Sequence, residues 1–477
     1  MDSFLLTYQV NQQRLLYDIG SSIEPLSIRD QIFRGTIIIE RALADGLIQP
    51  DQEKPVLIIG AGVAGALAAT TAVKYRVPVV LVEVKTPFIR QFHCRSRFVC
   101  PTQYDWPAPH WRRGRYPWWE NGKLPLEWDS NYASMVVQAW DSNLKLMQLL
   151  NPTLLRIRNK RKFIRHNIVS DGQAVEAYFD PPLDGEPLLC SMVISCAGIG
   201  IERHWVPNED PTYTGYGFWE LDEFEKPDLG LDNVRPKVLI SGSGDGALQD
   251  FLRLTTGFSS AGHIYEKVID DSIKPEVERL VMIAEDYAHR SYVWGKAGVL
   301  DHAIQFKLHT EYEKIIEMLF NEWKFRRRVE KALAHLIGNL DKRLAKIKLA
   351  YPCDHFSSCF ALNRFLVLLI AKYIHRNLEY NPLSPRIKIL EVRGVDPHHC
   401  LNDAHLCYGQ EHELIRAEAF CNTFLTAGAN EAERSVIADG PYRIVIIRHG
   451  IKINKPPLGN LPAAAPPRQI LPYDIPW

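Results

Sequence analysis

An α/β fold made of two parallel, doubly wound modules is what the sequence predicts, and three observations predict it. The first is the stretch from Pro55 to Glu83. An apolar run, Val56 to Ile59, leads into Gly60, Gly62 and Gly65 in G-x-G-x-x-G spacing, an Ala-rich segment of helical character follows, and a second apolar run ends on Glu83, 23 positions after Gly60. The second is a repeat of that plan at Lys237 to Asp250, where Val238 to Ile240 lead into Gly242, Ser243, Gly244, Asp245, Gly246 and Ala247. The third lies between them: Met192 to Gly200, another apolar strand, which ends in Cys196-Ala197-Gly198. Short continuous apolar runs bounded by glycine suit strands buried on both faces of a parallel sheet.

The glycine pattern has a mechanical reading, that of a Rossmann-like dinucleotide-binding module. Gly60 permits the tight strand-to-helix turn, Gly62 lets backbone approach a diphosphate, and Gly65 lets helix and strand pack closely. The helix N-terminus offers unpaired N–H groups to phosphate, and Glu83 is placed to accept from a ribose hydroxyl. In the second stretch Ala247 is a small residue at the third position. The run His263 to Tyr265 reads as the following strand and ends on Glu266, 24 positions after Gly242.

Bulk composition narrows the class. The chain has 477 residues, enough for about two to four domains, and is 46% apolar and 23% charged, as soluble globular proteins are. Lys+Arg and Asp+Glu both number 56, which removes any global electrostatic argument for a nucleic-acid or membrane partner. None of the nine cysteines forms a C-x-x-C pair, which points to reduced thiols. The first residues lack a basic start and an uninterrupted apolar core, and Phe365 to Ile374 is interrupted by Lys372 and too short to span a bilayer. The expectation is a cytoplasmic protein acting on a small molecule.

In chain order, residues 1–50 form a helical lead-in, with Ser27 capping a helix over Arg29 to Leu47. Residues 51–235 form the first module. After Glu83 comes a long irregular segment dense in proline and tryptophan, and long loops of this kind are often functional; Tyr104, Asp105, Trp106, His110 and Trp111 are its pocket candidates. Asn131 to Leu150 reads as a helix, and Arg156 to His166 as a basic, solvated strand. Residues 236–350 form the second module, with a helical insertion from Pro275 to Leu349 that covers the active site or makes a homo-oligomer contact. Residues 351–477 are expected to return to the first module and the active site. They hold a helix, Leu362 to His375, and a strand, Ile387 to Val392. They also hold a His- and Cys-rich stretch, 396–407, whose spacing fits no zinc signature but which makes His398 and His399 pocket candidates. Tyr442 to Gly450 contains Arg-His-Gly, the start of histidine phosphatases, yet too little chain follows for that reading; a last strand edge near a ligand fits better. The Pro-rich tail lies extended across the surface or a neighbour.

With both glycine stretches in view, the chain resembles the flavoprotein superfamily with two dinucleotide-binding domains, which includes thioredoxin reductases and flavin-containing monooxygenases. The resemblance covers roughly residues 55–270. It implies that Gly60, Gly62, Gly65 and Glu83 bind FAD, with Cys196-Ala197-Gly198 similar to the Ala-Thr-Gly that closes the FAD part. It implies that Gly242, Gly244, Asp245, Gly246 and Ala247 bind NADH or NADPH, this stretch being close to the Gly-Gly-Gly-Asp-Ser-Ala of thioredoxin reductases. Glu266 would favour NADH, since a carboxylate repels a 2′-phosphate. The family's late Gly-Asp pair, whose acid meets the ribityl chain of FAD, has Asp439 as its nearest match, in reversed order. The missing C-x-x-C argues against disulfide reduction.

The function expected from all this is an FAD-dependent oxidoreductase using NAD(P)H, with monooxygenation of a small organic substrate as the leading subclass. An amine or amino-acid oxidase is one alternative, disfavoured by the second glycine motif. A non-catalytic dinucleotide sensor or scaffold is the other.

Overall fold

Ser27 begins the longest helix of the N-terminal region because its hydroxyl accepts from the Asp30 amide while the Asp30 carboxylate accepts from the Ser27 amide, a reciprocal capping box. The computed structural model describes residues 3–20, 27–95, 97–100, 103, 106–107, 130–170, 172–183, 187–198, 200–202, 216–220, 237–290, 302–338, 346–351, 355–356, 359–380, 388–393, 444–453 and 457–459. The first part of the chain runs through α1 (Ser3–Tyr8), β1 (Leu16–Asp18), α2 (Ile28–Ala44), β2 (Val56–Ile59), α3 (Val63–Lys74), β3 (Val79–Glu83), α4 (Ile89–Phe92), β4 (Phe98–Val99), β5 (Asn131–Tyr132), α5 (Ala133–Leu150), β6 (Leu155–Asn159), β7 (Lys162–Ile168), β8 (Val175–Asp180), β9 (Leu188–Cys190), β10 (Met192–Ser195) and β11 (Gly200–Glu202). The second part adds β12 (Lys237–Ser241), α6 (Asp245–Thr256), α7 (Ala261–Val268), α8 (Lys274–Arg290), α9 (His302–Asn321), α10 (Trp323–Gly338), β13 (Lys346–Tyr351), α11 (Ala361–Tyr380), β14 (Lys388–Arg393), β15 (Ile444–Ile447) and β16 (Ile451–Ile453).

The first sheet is parallel, in the order β1-β10-β2-β3-β6. Side chains alternate across a strand, so each strand feeds two cores. Val56, Ile58, Val79, Leu81, Met192 and Ile194 face a layer containing α2, α3 and α5. Leu57, Ile59, Val80, Val82 and Val193 face the antiparallel sheet β7-β8-β9, where Phe163, Val175 and Phe179 meet them. The lead-in is part of this module: β1 pairs with β10, and α2 crosses α3 so closely that a Cβ on Gly35 would overlap the Ala64 carbonyl oxygen. The basic stretch forms β6, at one edge of the sheet, and β7, where a single strand is expected.

The second sheet is also parallel, in the order β14-β13-β12-β15. Three expectations need correction here. His263 to Tyr265 lie on the helix α7, not on a strand, and the strand beside β12 is β13. The helical insertion ends with α10 at Gly338, before β13. Residues beyond 350 do not all return to the first module: α11, β14 and β15 complete the second, and among the described residues only Leu458 lies in the first module's core, beside Val10 and Leu15. The insertion, α7 to α10, therefore lies inside the α6-to-β13 crossover. Its helices bury Ile264, Val281, Tyr312, Leu319 and Leu333 in one core with Val238, Leu349 and Leu366.

The two sheets repeat one design. Ile59 is level with Val82 and Ser195 in the first; Ser241 is level with Ala350 and Ile447 in the second. Gly60 N donates to Val82 O at 2.8 Å, and Gly242 N to Ala350 O at 2.9 Å. Cys196 N donates to Ile59 O at 2.7 Å, and Arg448 N to Ser241 O at 2.8 Å. The segments that follow, β11 and β16, pair antiparallel with each other and join the modules. Among the described residues, β1 has no counterpart in the second sheet.

Candidate dinucleotide sites

In open α/β sheets, ligands bind beyond the carboxyl ends of the strands where the strand order reverses. In the first module that place lies between β2 and β10. Gly60 adopts φ +99°, and a Cβ there would lie 2.5 Å from the Cys196 carbonyl oxygen. A Cβ on Gly65 would overlap the Gly60 carbonyl oxygen, which explains this glycine by helix–strand packing alone. Gly62 is different. It caps α3, and among the described residues, its chain neighbours and its own helix backbone aside, no atom lies within 4 Å of where its Cβ would be. The packing of the described residues does not require glycine here. Glu83 accepts from Ala61 N at 2.8 Å through one carboxylate oxygen and from Lys85 N at 3.0 Å through the other. Those bonds fix its orientation beside the loop.

Cys196, Ala197 and Gly198 close the cradle after β10. Cys196 is buried, and burial, with the Asp18 carboxylate, raises its thiol pKa well above the usual range, so the thiol is inert. Asp18 is the residue that sequence reasoning missed. It ends β1 level with Ser195, is 2% exposed, and accepts from Gly20 N at 3.0 Å. Burial pushes its carboxyl up to about 7. A Cβ on Gly20 would lie 2.9 Å from Gly198 N, so the turn after Asp18 rests directly on the closing loop. The signal was present as a short apolar run ending in an acid, Leu15 to Asp18, before a capped helix.

In the second module Gly242 has φ +143°, and a Cβ there would overlap the Arg448 carbonyl oxygen, as Gly60 meets Cys196. Gly244 caps α6, and Ala247 is fully buried against the core. Gly246 faces the Arg448 and Phe218 side chains. Asp245 is turned to structural use: its Oδ1 accepts from Phe360 N at 2.9 Å and from Asn363 Nδ2 at 2.7 Å, anchoring the start of α11. Glu266 is not at a strand end. It sits on α7, largely exposed, in an ion pair with Lys274 at 2.8 Å. The position level with Glu83 belongs to Tyr351, 1% exposed and 5.0 Å from the Phe356 ring. Among the described residues no carboxylate stands at that strand end, and Glu266 on α7 gives no preference for NADH over NADPH.

Between the modules lies a buried ionic cluster. Asp250 on α6 is fully buried, and burial alone would raise its pKa; the Arg97, Arg448 and Arg253 guanidiniums instead hold it well below the usual carboxylate range. Arg97 comes from the first module and forms an ion pair with Asp250. Arg448 Nε donates to Asp250 Oδ2 at 2.9 Å, and Arg253 to Oδ1 at 3.0 Å. The Arg97 guanidinium lies 4.1 Å over the Phe218 ring, and Phe218 N donates to Glu202 at 2.6 Å.

Of the other predicted pocket residues, Trp106 packs into the second module's core, 5.0 Å from Tyr265 and 5.6 Å from Phe365. Tyr104, Asp105, His110, Trp111, His398, His399 and Asp439 lie outside the described residues. Among the described residues, no group of three or more His, Cys, Asp or Glu side chains gathers as a metal site, and no helix is long and apolar enough to cross a membrane. A cavity of about 420 Å³ opens among the insertion helices, lined by Leu280, Ile283, Ile315 and Met318 and by no residue of either glycine loop.

Two parallel sheets, each with a glycine loop at the head of the helix that follows its central strand and joined by β11 and β16, define a fold of two Rossmann-like modules. No protein-family model matches the chain, and no curated protein does. Among solved structures it is similar to OTEMO in an FAD-bound form, at 14% identity over 59% of each chain with a TM-score of 0.30. The match thus spans about three fifths of that protein's length. It is similar also to cyclohexanone monooxygenase from Rhodococcus sp. Phi1 bound to NADP+, at 11% identity over 72% of this chain and 66% of that one, TM-score 0.34. Bacillithiol disulfide reductase from Staphylococcus aureus aligns at 9% identity over 72% and 68%, TM-score 0.32. These likenesses are distant, and the fold rests on strand order and the paired glycine loops.

Proposed function

We propose that the protein is an FAD-dependent oxidoreductase reduced by NADH or NADPH. The observation that carries this reading is Gly62: a glycine at the head of α3 that none of the described neighbours requires, between two glycines that packing does require. The first cradle fits FAD. The α3 N-terminus would take the diphosphate, and Glu83, held by the Ala61 and Lys85 amides, would accept from the adenosine ribose. Asp18, at the carboxyl end of β1 beside the closing loop, would accept from the ribityl hydroxyls. The second cradle, with Gly242 and Gly244 at the head of α6, would hold the pyridine dinucleotide.

A bound flavin supplies the hydride and oxygen chemistry; the chain supplies orientation and exclusion of water. With no C-x-x-C in the sequence, disulfide reduction lacks its thiols, and monooxygenation of a small organic substrate is the subclass proposed. The test is the colour of the purified full-length protein and its response to reductant. A yellow protein bleached anaerobically by NADPH or NADH, with substrate-dependent oxygen uptake after admission of air, is expected. Colourless protein that cannot be reconstituted with FAD would sink the reading. Bleaching by amines but not by either nicotinamide would favour an oxidase.

A further inference from the structure

Arg90 reaches across the mouth of the first cradle. It lies on α4, which follows β3, yet its Nη2 donates to the Gly200 carbonyl oxygen at 3.2 Å, and Gly200 begins β11, beyond the closing loop after β10. In the sheet order, β2 lies between β3 and β10. The bond therefore spans the carboxyl end of β2, the strand that runs into Gly60 and Gly62, and bridges the crevice between β2 and β10.

Local structure sets this reach. α4 opens at Phe88, which adopts φ +54°, a left-handed backbone that is strained for a bulky side chain. Two contacts hold it there. Phe88 N donates to the Ala61 carbonyl oxygen at 3.1 Å, and the Phe88 ring is buried beside Trp140. Ala61 is thus held from both sides, by Glu83 at its amide and by Phe88 at its carbonyl. α4 is fixed to the glycine loop, and Arg90 with it.

The charge balance of the cradle shows what the arginine would meet. Glu83 and Asp18 are acids, and α3 begins with the uncharged Val63, Ala64 and Gly65. FAD adds further negative charge at its diphosphate, which the amides at the head of α3 meet from one side. Arg90 is exposed and, among the described residues, forms no ion pair. A guanidinium carries several N–H donors in a planar fork, so the bond to Gly200 leaves donors for phosphate oxygens.

We infer that Arg90 is a ligand-binding residue of the first module, closing over the crevice and donating to the FAD diphosphate opposite the head of α3. This rests on the reading of the first module as the FAD site. The bond to Gly200 aims the side chain in advance, so less freedom is lost when the ligand arrives.

The experiment measures binding of FAD, ADP and adenosine to the flavin-stripped full-length protein, comparing wild type with Arg90→Ala and Arg90→Lys. Flavin fluorescence reports FAD, and the other two are read by competition against it. Melting temperature of the ligand-free proteins checks folding. Arg90→Ala is expected to weaken FAD and ADP alike, by about tenfold, and to leave adenosine unchanged, since adenosine reaches Glu83 but has no diphosphate. It should also flatten the fall of FAD affinity with rising salt. Arg90→Lys, which keeps the charge without the fork, recovers part of the loss. Unchanged FAD binding in a folded Arg90→Ala protein overturns the assignment. So does a loss for adenosine equal to that for ADP, which would leave Arg90 a tether for Gly200 alone. A folded wild type that binds neither FAD nor ADP overturns the reading of the first module itself, and the assignment with it.

Discussion

Gly62 and Gly65 stand three positions apart in different surroundings. A Cβ at 65 meets the Gly60 carbonyl, whereas a Cβ at 62 meets none of the described residues outside its own turn and helix. Gly65→Ala should therefore destabilise the ligand-free protein by about 1–3 kcal/mol through overpacking, read by urea denaturation. Gly62→Ala should leave that stability unchanged and weaken FAD by about tenfold, equivalent to roughly 1.4 kcal/mol of lost contact; FAD titration measures it, and equal FAD affinity would count against the cradle. Asp18 makes a pH-dependent prediction. Its folded pKa, about 7, lies above that of an unfolded aspartate, about 3.9. Below about pH 4 the carboxyl is protonated in both states and contributes no penalty. As pH rises from about 4 to 7 the unfolded chain releases the proton first, so stability falls, and above 7 the penalty is constant. Asp18→Asn removes this, so in flavin-free protein its melting temperature should exceed the wild type's more at pH 8 than at pH 5. A difference independent of pH would refute the buried, proton-retaining carboxyl. The glycine turns, and the placing of Glu83 beside the first of them, were legible in the sequence because a tight strand-to-helix turn admits few residue types. Asp18 was not, because an acid after three apolar residues has no distinctive spacing.

Elements were legible where period or cap was strong. The helix opened by Ser27 is α2, and Ser27→Ala should cost about 1 kcal/mol, since the hydroxyl satisfies the Asp30 amide; a chemical denaturation midpoint shifted by less than a few tenths of that would contradict the cap. β2, β3, β10 and β12 were readable as continuous apolar runs. The misreading of α7 has a clear cause. Its His263-Ile264-Tyr265 is a short apolar and aromatic run, which periodicity cannot assign, and tertiary packing decides it: Ile264 and Tyr265 are buried against the insertion core as parts of one helix face. β13 was hidden for the opposite reason, following a long helical pattern. β1, at three residues, carries no period, and only its partner β10 makes it a strand.

At the scale of the whole molecule, one carboxylate holds the modules in contact. Asp250 is fully buried and its partners are arginines from both modules. Asp250→Asn keeps the shape but leaves the guanidiniums without a counter-charge, and removing one partner of a buried ionic group costs about 3–5 kcal/mol. The variant should unfold at lower denaturant and become sensitive to limited proteolysis between the modules; a wild-type protease pattern would show that the cluster is dispensable. Because the folded pKa is depressed, the stabilisation is present above about pH 4 and is lost only as pH falls below the unfolded value. The sequence could not show this cluster, since Arg97, Asp250 and Arg448 are far apart along the chain. The pairing of β1 with β10 has its own consequence during synthesis. A growing chain exposes its first strand at residue 16 and meets that strand's partner only at residue 192. Asp18 thus reaches its place late, after the glycine loop and Glu83 have been made. The first cradle can close only when most of its module has left the ribosome, so a nascent chain halted before β10 should not retain flavin.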